Sequence, residues 1–183
     1  RAMIIADHIP EATRLLTSAQ EKYPENIELL LAKGDLASLE GIVAEARAAY
    51  SAARKYDPDR MEAWLGLGRI EVELENVTQA HELLEKANTL DPESDKPSAQ
   101  LATLATFTNN FAGANQRFEQ IVTERPYEYV ALTGRGILKL KTGNPQAALE
   151  DFLRAGVIEP RYARAWLFSG VAYYQLGDKK RAL

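Results

Sequence analysis

Cysteine is absent from this chain of 183 residues. That excludes a disulfide scaffold and a thiolate zinc site. Histidine is scarce, with His8 and His81 the only two, far apart in sequence. Surface or edge packing is the default reading for both, ahead of catalysis or metal binding. No apolar run approaches the roughly 18 residues needed to cross a bilayer. The patch in Arg1-Ala2-Met3-Ile4-Ile5-Ala6 is too short for the apolar core of a signal peptide. A glycine-rich phosphate loop is missing as well, since Gly134 and Gly136 fall inside a helical pattern rather than after a strand. Glu62, Glu71, Glu73 and Glu75 resemble an acidic cluster, but on a helix they fan over different faces and read as solvated surface. Nothing here supports an enzyme, a metal centre or a cofactor.

An excess of positive charge is also lacking. The net charge of −4 argues against a nucleic-acid partner, which would need a basic stripe. The charge is unevenly placed: residues 1–92 carry 17 acidic and 10 basic side chains, residues 93–183 carry 9 and 12. This reads first as solvated helix faces and second as a field that could steer a polar partner.

What the chain does have is a period. Pro24, Pro58, Pro92, Pro126 and Pro160 stand 34 residues apart, and so do Ala12, Ala46, Ala80, Ala114, Ala148 and Ala182. A period that strict marks one supersecondary unit stacked on copies of itself. Within residues 27–60, Leu30, Gly34 and Ala37 fall at helical spacing, as do Ala46, Tyr50 and Ala53 after a break at Glu40-Gly41. The pattern predicts two amphipathic helices, A and B, joined by a tight turn. Pro58 ends helix B, because proline lacks an N–H and disfavours helical geometry in the residue before it.

The same unit recurs at 61–94, at 95–128 and at 129–162. The third has a degenerate helix A, with Ser98 and Ala102 where its neighbour has Trp64 and Gly68. Residues 163–183 form a partial unit with Trp166, Gly170, Tyr173 and the turn Gly177-Asp178, after which Lys179-Lys180-Arg181 opens a helix B. Residues 1–26 form another, the end of a helix A and a helix B with His8 in the turn between them. The register thus places Arg1 within a helix A and Leu183 early in a helix B, with no polar capping helix visible. The expectation is a window of a longer array. Gly34, Gly68, Gly136 and Gly170 are expected to let helix backbones approach closely. Tyr50, Trp64, Phe118, Phe152 and Trp166 are expected to fill the spaces between helices, at about 2–3 kcal/mol for each buried ring.

The recurring order Trp/Leu, Gly, Tyr, Ala, aromatic, Ala, Pro resembles the tetratricopeptide repeat (TPR) family over essentially the whole chain. The resemblance implies an all-α fold, a right-handed superhelical solenoid of antiparallel helix pairs. Its A helices would line a concave groove that binds a peptide or partner protein. The groove positions are the second, fifth, sixth, ninth, twelfth and thirteenth of each repeat. They single out Leu65, Arg69, Val72, Thr103, Phe107, Ile137, Leu140, Lys141, Leu167, Val171 and Tyr174 as candidate partner-binding residues. The second position is Glu28, Glu62, Lys96, Val130 and Arg164 in successive repeats. Chaperone-binding members hold a C-terminal carboxylate with Lys at position five and Asn at position nine. No repeat here has that pair.

The expected function is a protein–protein interaction scaffold whose partner is an amphipathic helix or an extended apolar segment. No nucleic acid and no membrane insertion are expected. The alternatives are a segment of a bacterial pilus-assembly or exopolysaccharide-export component, and a regulatory array attached to an enzyme such as a glycosyltransferase.

Overall fold

A computed structural model describes residues 2–182, with side chains from Pro10 onward. Among the described residues there are ten α-helices and no strand: α1 (Ala2–Lys22), α2 (Ile27–Leu39), α3 (Val43–Tyr56), α4 (Met61–Glu73), α5 (Val77–Leu90), α6 (Asp95–Phe107), α7 (Phe111–Glu124), α8 (Tyr129–Lys141), α9 (Pro145–Ile158) and α10 (Ala163–Gln175). None is long and apolar enough to cross a membrane. The chain divides into two compact units, Arg1–Glu93 with α1 to α5 and Ser94–Leu183 with α6 to α10. From α2 onward, A helices of 13 residues alternate with B helices of 14.

The A-to-B turn is built the same way each time. Gly41, Glu75, Asn109, Gly143 and Gly177 all have positive φ, between 59° and 81°. The residue after each donates its N–H five residues back: Ile42 to Ala37, Asn76 to Glu71, Asn110 to Ala105, Asn144 to Lys139 and Asp178 to Tyr173. This closure satisfies carbonyls that the ending helix leaves without partners. The side chains of Asn110 and Asn144 then cap α7 and α9, accepting from Gly113 N at 3.1 Å and Ala147 N at 3.3 Å. Where helix B gives way to helix A, the turn prolines carry a second fastening. The Trp64 indole donates to Pro58 O at 2.7 Å, and the Trp166 indole to Pro160 O at 3.0 Å.

Consecutive helices pack on one another within each unit. In addition, α2 touches α4, α6 touches α8 and α8 touches α10, whereas the B helices α7 and α9 do not reach each other. The A helices therefore form the inner layer of each unit and the B helices the outer one.

Three of the four glycines act differently from expectation: Gly34, Gly68 and Gly136 receive a side chain rather than a second backbone, whereas a Cβ on Gly170 would meet the Ala182 backbone carbonyl at 3.1 Å. The buried ring of Tyr50 is wedged between Gly34 of its own repeat and Gly66 of the next, and a Cβ at either would meet it at 2.6 Å. Gly136 receives Phe152, Gly134 receives Phe118, and Gly68 receives Leu84. A hydrogen atom leaves room for a ring where a methyl would not. In unit 2 the buried residues include Ala114, Phe118, Leu132 and Ala165 in one cluster and Ala148, Leu149, Phe152 and Ala172 in another. The degenerate α6 still forms a full helix, with Ala102 wholly buried in place of glycine. Trp166 is an edge piece, 45% exposed and laid against Gly156.

Two expectations at the ends are corrected. The turn expected at His8 does not form, because α1 runs unbroken through Pro10. Asp7 stands where the repeat has Gly41, and a residue with a Cβ enters the positive-φ conformation of that turn less readily than glycine. The His8 side chain lies outside the described residues. Lys179–Ala182 is a turn rather than the opening of a helix B. Asp178 already accepts from Arg181 N at 3.2 Å, the same capping geometry as Asn110 and Asn144.

Candidate protein-binding face

The inner face of unit 2 is formed by α6, α8 and α10. Between them lies a cleft of about 60 Å³ lined by Thr103, Phe107, Val130, Ile137, Tyr162 and Arg164, among others. Its floor is the buried Phe118 ring, which packs against the hydrogen of Gly134. The threonines there are less polar than their formula suggests. Thr103, Thr106 and Thr133 donate their hydroxyl protons to carbonyls one turn back in their own helices, at 2.8–2.9 Å. The cleft is thus mainly apolar, with Arg164 at its edge. Tyr162 packs edge-on against Tyr129 at 4.9 Å between ring centroids, and burial pushes its phenol pKa up.

Phe107 stands 54% exposed at the end of α6, with the Lys141 ammonium 5.1 Å from its ring centre. Arg164 lies 5.8 Å from the Phe168 ring, one turn further along α10. Beyond Arg164, α10 presents Leu167, Val171 and Tyr174, of which Leu167 and Tyr174 are about two-thirds exposed. Together with Gly170 and Lys179 these three line an open concavity of about 470 Å³. Ile137 and Leu140 are half-buried and pack on the cluster of Ala148, Leu149, Phe152 and Ala172, although Ile137 also reaches the cleft.

The candidate residues of unit 1 stand in a different setting. Leu65 is buried and offers a partner little surface. Val72 is half-buried and Arg69 is exposed. The inner face there is acidic and internally paired: Arg60 bridges Glu28 and Glu62, and Tyr50 donates to Asp35 at 2.7 Å. Burial, reinforced by that hydrogen bond, raises the Tyr50 phenol to about 12. Glu71, read from the sequence as solvated, is instead buried, paired with Arg47 at 2.9 Å and accepting from Asn76 at 2.8 Å. A buried carboxylate needs such partners, and the repeat pattern carries no sign of them. Glu73 and Glu75 are exposed, and His81 is a surface residue 3.7 Å from Glu85.

Besides the buried Phe118 ring, the groove positions miss one residue of the cleft, Tyr162. It closes one repeat and belongs to the turn before α10, so helical spacing does not point to it. No group of three His, Asp or Glu side chains that could hold a metal ion occurs among the described residues.

Comparison with known proteins fits this architecture. A solved tetratricopeptide repeat protein from Parabacteroides merdae superposes with a TM-score of 0.83 at 21% identity, over 97% of this chain and 69% of that one. The thermophilic TPR protein TTC0263 from Thermus thermophilus gives 0.82 at 16% identity, over 94% of both chains. In sequence, the heat-shock protein cognate co-chaperone sgt12 of Aspergillus fumigatus is 29% identical over 97 residues, 53% of this chain. The chain spans 28% of that relative's length. The family profile described as "Tetratricopeptide repeat" matches residues 41–95 and 133–183, more than half of the sequence. The chain belongs to the tetratricopeptide repeat family.

Proposed function

We propose that this chain is a protein-interaction scaffold and that its docking surface is the inner, A-helix face of unit 2. The observation that carries the reading is the row of exposed apolar side chains on that face: Phe107, Leu167, Val171 and Tyr174 beside the Phe118-floored cleft. Large apolar groups left in water along one face favour the docking of an amphipathic helix or an extended segment. A face built on packed helices also binds at a low ordering cost, because it is formed before the partner arrives. The co-chaperone role of the fungal relative does not carry over to this face. Positions five and nine of its repeats are Ala99 and Thr103, Thr133 and Ile137, Leu167 and Val171, which cannot clamp a terminal carboxylate.

The test is affinity capture from lysate of the source cells, with wild type beside Phe107→Glu/Leu167→Glu and with equal helicity checked by circular dichroism. These two positions are exposed, so charge there leaves the core intact, unlike charge at Ile137 or Leu140. A partner held by wild type and lost by the variant is the expected outcome. A partner held equally by both would place the working surface elsewhere.

A further inference from the structure

The inner face of unit 2 is charged with one sign. At its groove positions stand Lys96, Lys141 and Arg164, and no carboxylate occupies any of these positions in α6, α8 or α10. The other charges of the unit are largely satisfied within it. Arg135 holds Asp151 and Glu119, Lys139 holds Asp151, and Arg125 holds Asp95. Glu128 and Glu159 accept from the backbone at Val130 and Arg161. By contrast, Lys141 and Arg164 face the rings of Phe107 and Phe168, and among the described residues neither has a carboxylate within ion-pair distance. In unit 1 the second groove position carries Glu28 and Glu62, and Arg60 neutralises both. Unit 2 thus presents cations without counter-charges, set around an apolar cleft.

We infer that the segment docked on unit 2 is acidic and amphipathic: apolar side chains enter the Phe107 cleft, and flanking Asp or Glu side chains pair with Arg164, Lys141 and Lys96. This rests on the docking face proposed above and specifies its occupant. Lys141 and Arg164 are both exposed, so a side-chain carboxylate gains a charge-assisted hydrogen bond there without first displacing another anion. The same field speeds encounter and rejects basic segments.

The test is selection of a random peptide library, displayed as an internal segment without a free C-terminus, on the intact chain. The expected pool is enriched in Asp and Glu interleaved with Leu, Ile or Phe. A synthetic peptide from that pool should bind more weakly as salt rises. It should lose roughly tenfold or more in affinity with Lys141→Glu/Arg164→Glu and stay within about twofold for Lys55→Glu, an exposed change in unit 1. A pool that needs Phe107 but shows no acidic excess overturns the inference and leaves the docking face standing. An empty pool, or one indifferent to Phe107→Glu, overturns both.

Discussion

At the scale of single residues, the tightest constraint on this protein is room for a ring. Tyr50 is only 2% exposed and lies between two glycines of successive A helices. Its hydroxyl is held by Asp35, so the ring cannot swing out of the way of an added side chain. Gly66→Val would place a Cβ at 2.6 Å from the ring and force α3 and α4 apart. We expect a loss of about 1–3 kcal/mol, the usual cost of overpacking, read as a lower urea midpoint. The double variant Gly66→Val/Tyr50→Ala should lose less than the sum of its parts, because the smaller side chain vacates the space. An unchanged midpoint for Gly66→Val alone would show that the ring is not wedged there.

At the scale of elements, the repeat period explains which helices form, and charge pairing explains how firmly particular helices are joined. Asp151 on α9 is 4% exposed and receives Arg135 at 2.6 Å and Lys139 at 2.7 Å, both from α8. Arg135 also reaches Glu119 of α7, and the Asp151 hydrogen bond raises its pKa, so it stays charged throughout the accessible pH range. One carboxylate therefore ties α9 to α8, and through Arg135 to α7. Asp151→Ala would leave a mostly buried guanidinium with one exposed partner, and we expect a cost of about 3 kcal/mol or more. The triple replacement of Asp151, Arg135 and Lys139 by apolar residues of similar size should cost far less, since no charge is then stranded. Chemical denaturation of the two variants separates these cases. If Asp151→Ala were as stable as wild type, the network would contribute nothing.

At the scale of the whole molecule, a repeat array lacks a single core, and each helix is stabilised by its immediate neighbours. Protection from hydrogen exchange should follow the number of those neighbours. The helix α1 packs on α2 alone, while α8 packs on α6, α7, α9 and α10. We expect the amides of α1 to exchange much faster than those of α8. Equal protection of α1 and α8 would mean that the array opens as one cooperative block.

The sequence by itself determined the repeat, its length and its all-α character. Pro58, Ala46 and Gly34 recur with their counterparts at fixed spacing, because every repeat must solve the same packing problem. Through its resemblance to the repeat family it also singled out Phe107, Leu167, Val171 and Tyr174 as expected groove positions. What differs from one repeat to the next was decided only in three dimensions. Glu71 and Asp151 are buried because Arg47 and Arg135 happen to reach them, and no period records a pairing made once. Leu65 is buried although Leu167, at the same register position, lies open. Tyr162 enters the cleft from a turn, where helical spacing has no say. Periodicity reports what the repeats share, whereas burial and charge compensation depend on which neighbours each repeat has, and those are known only once the helices are packed.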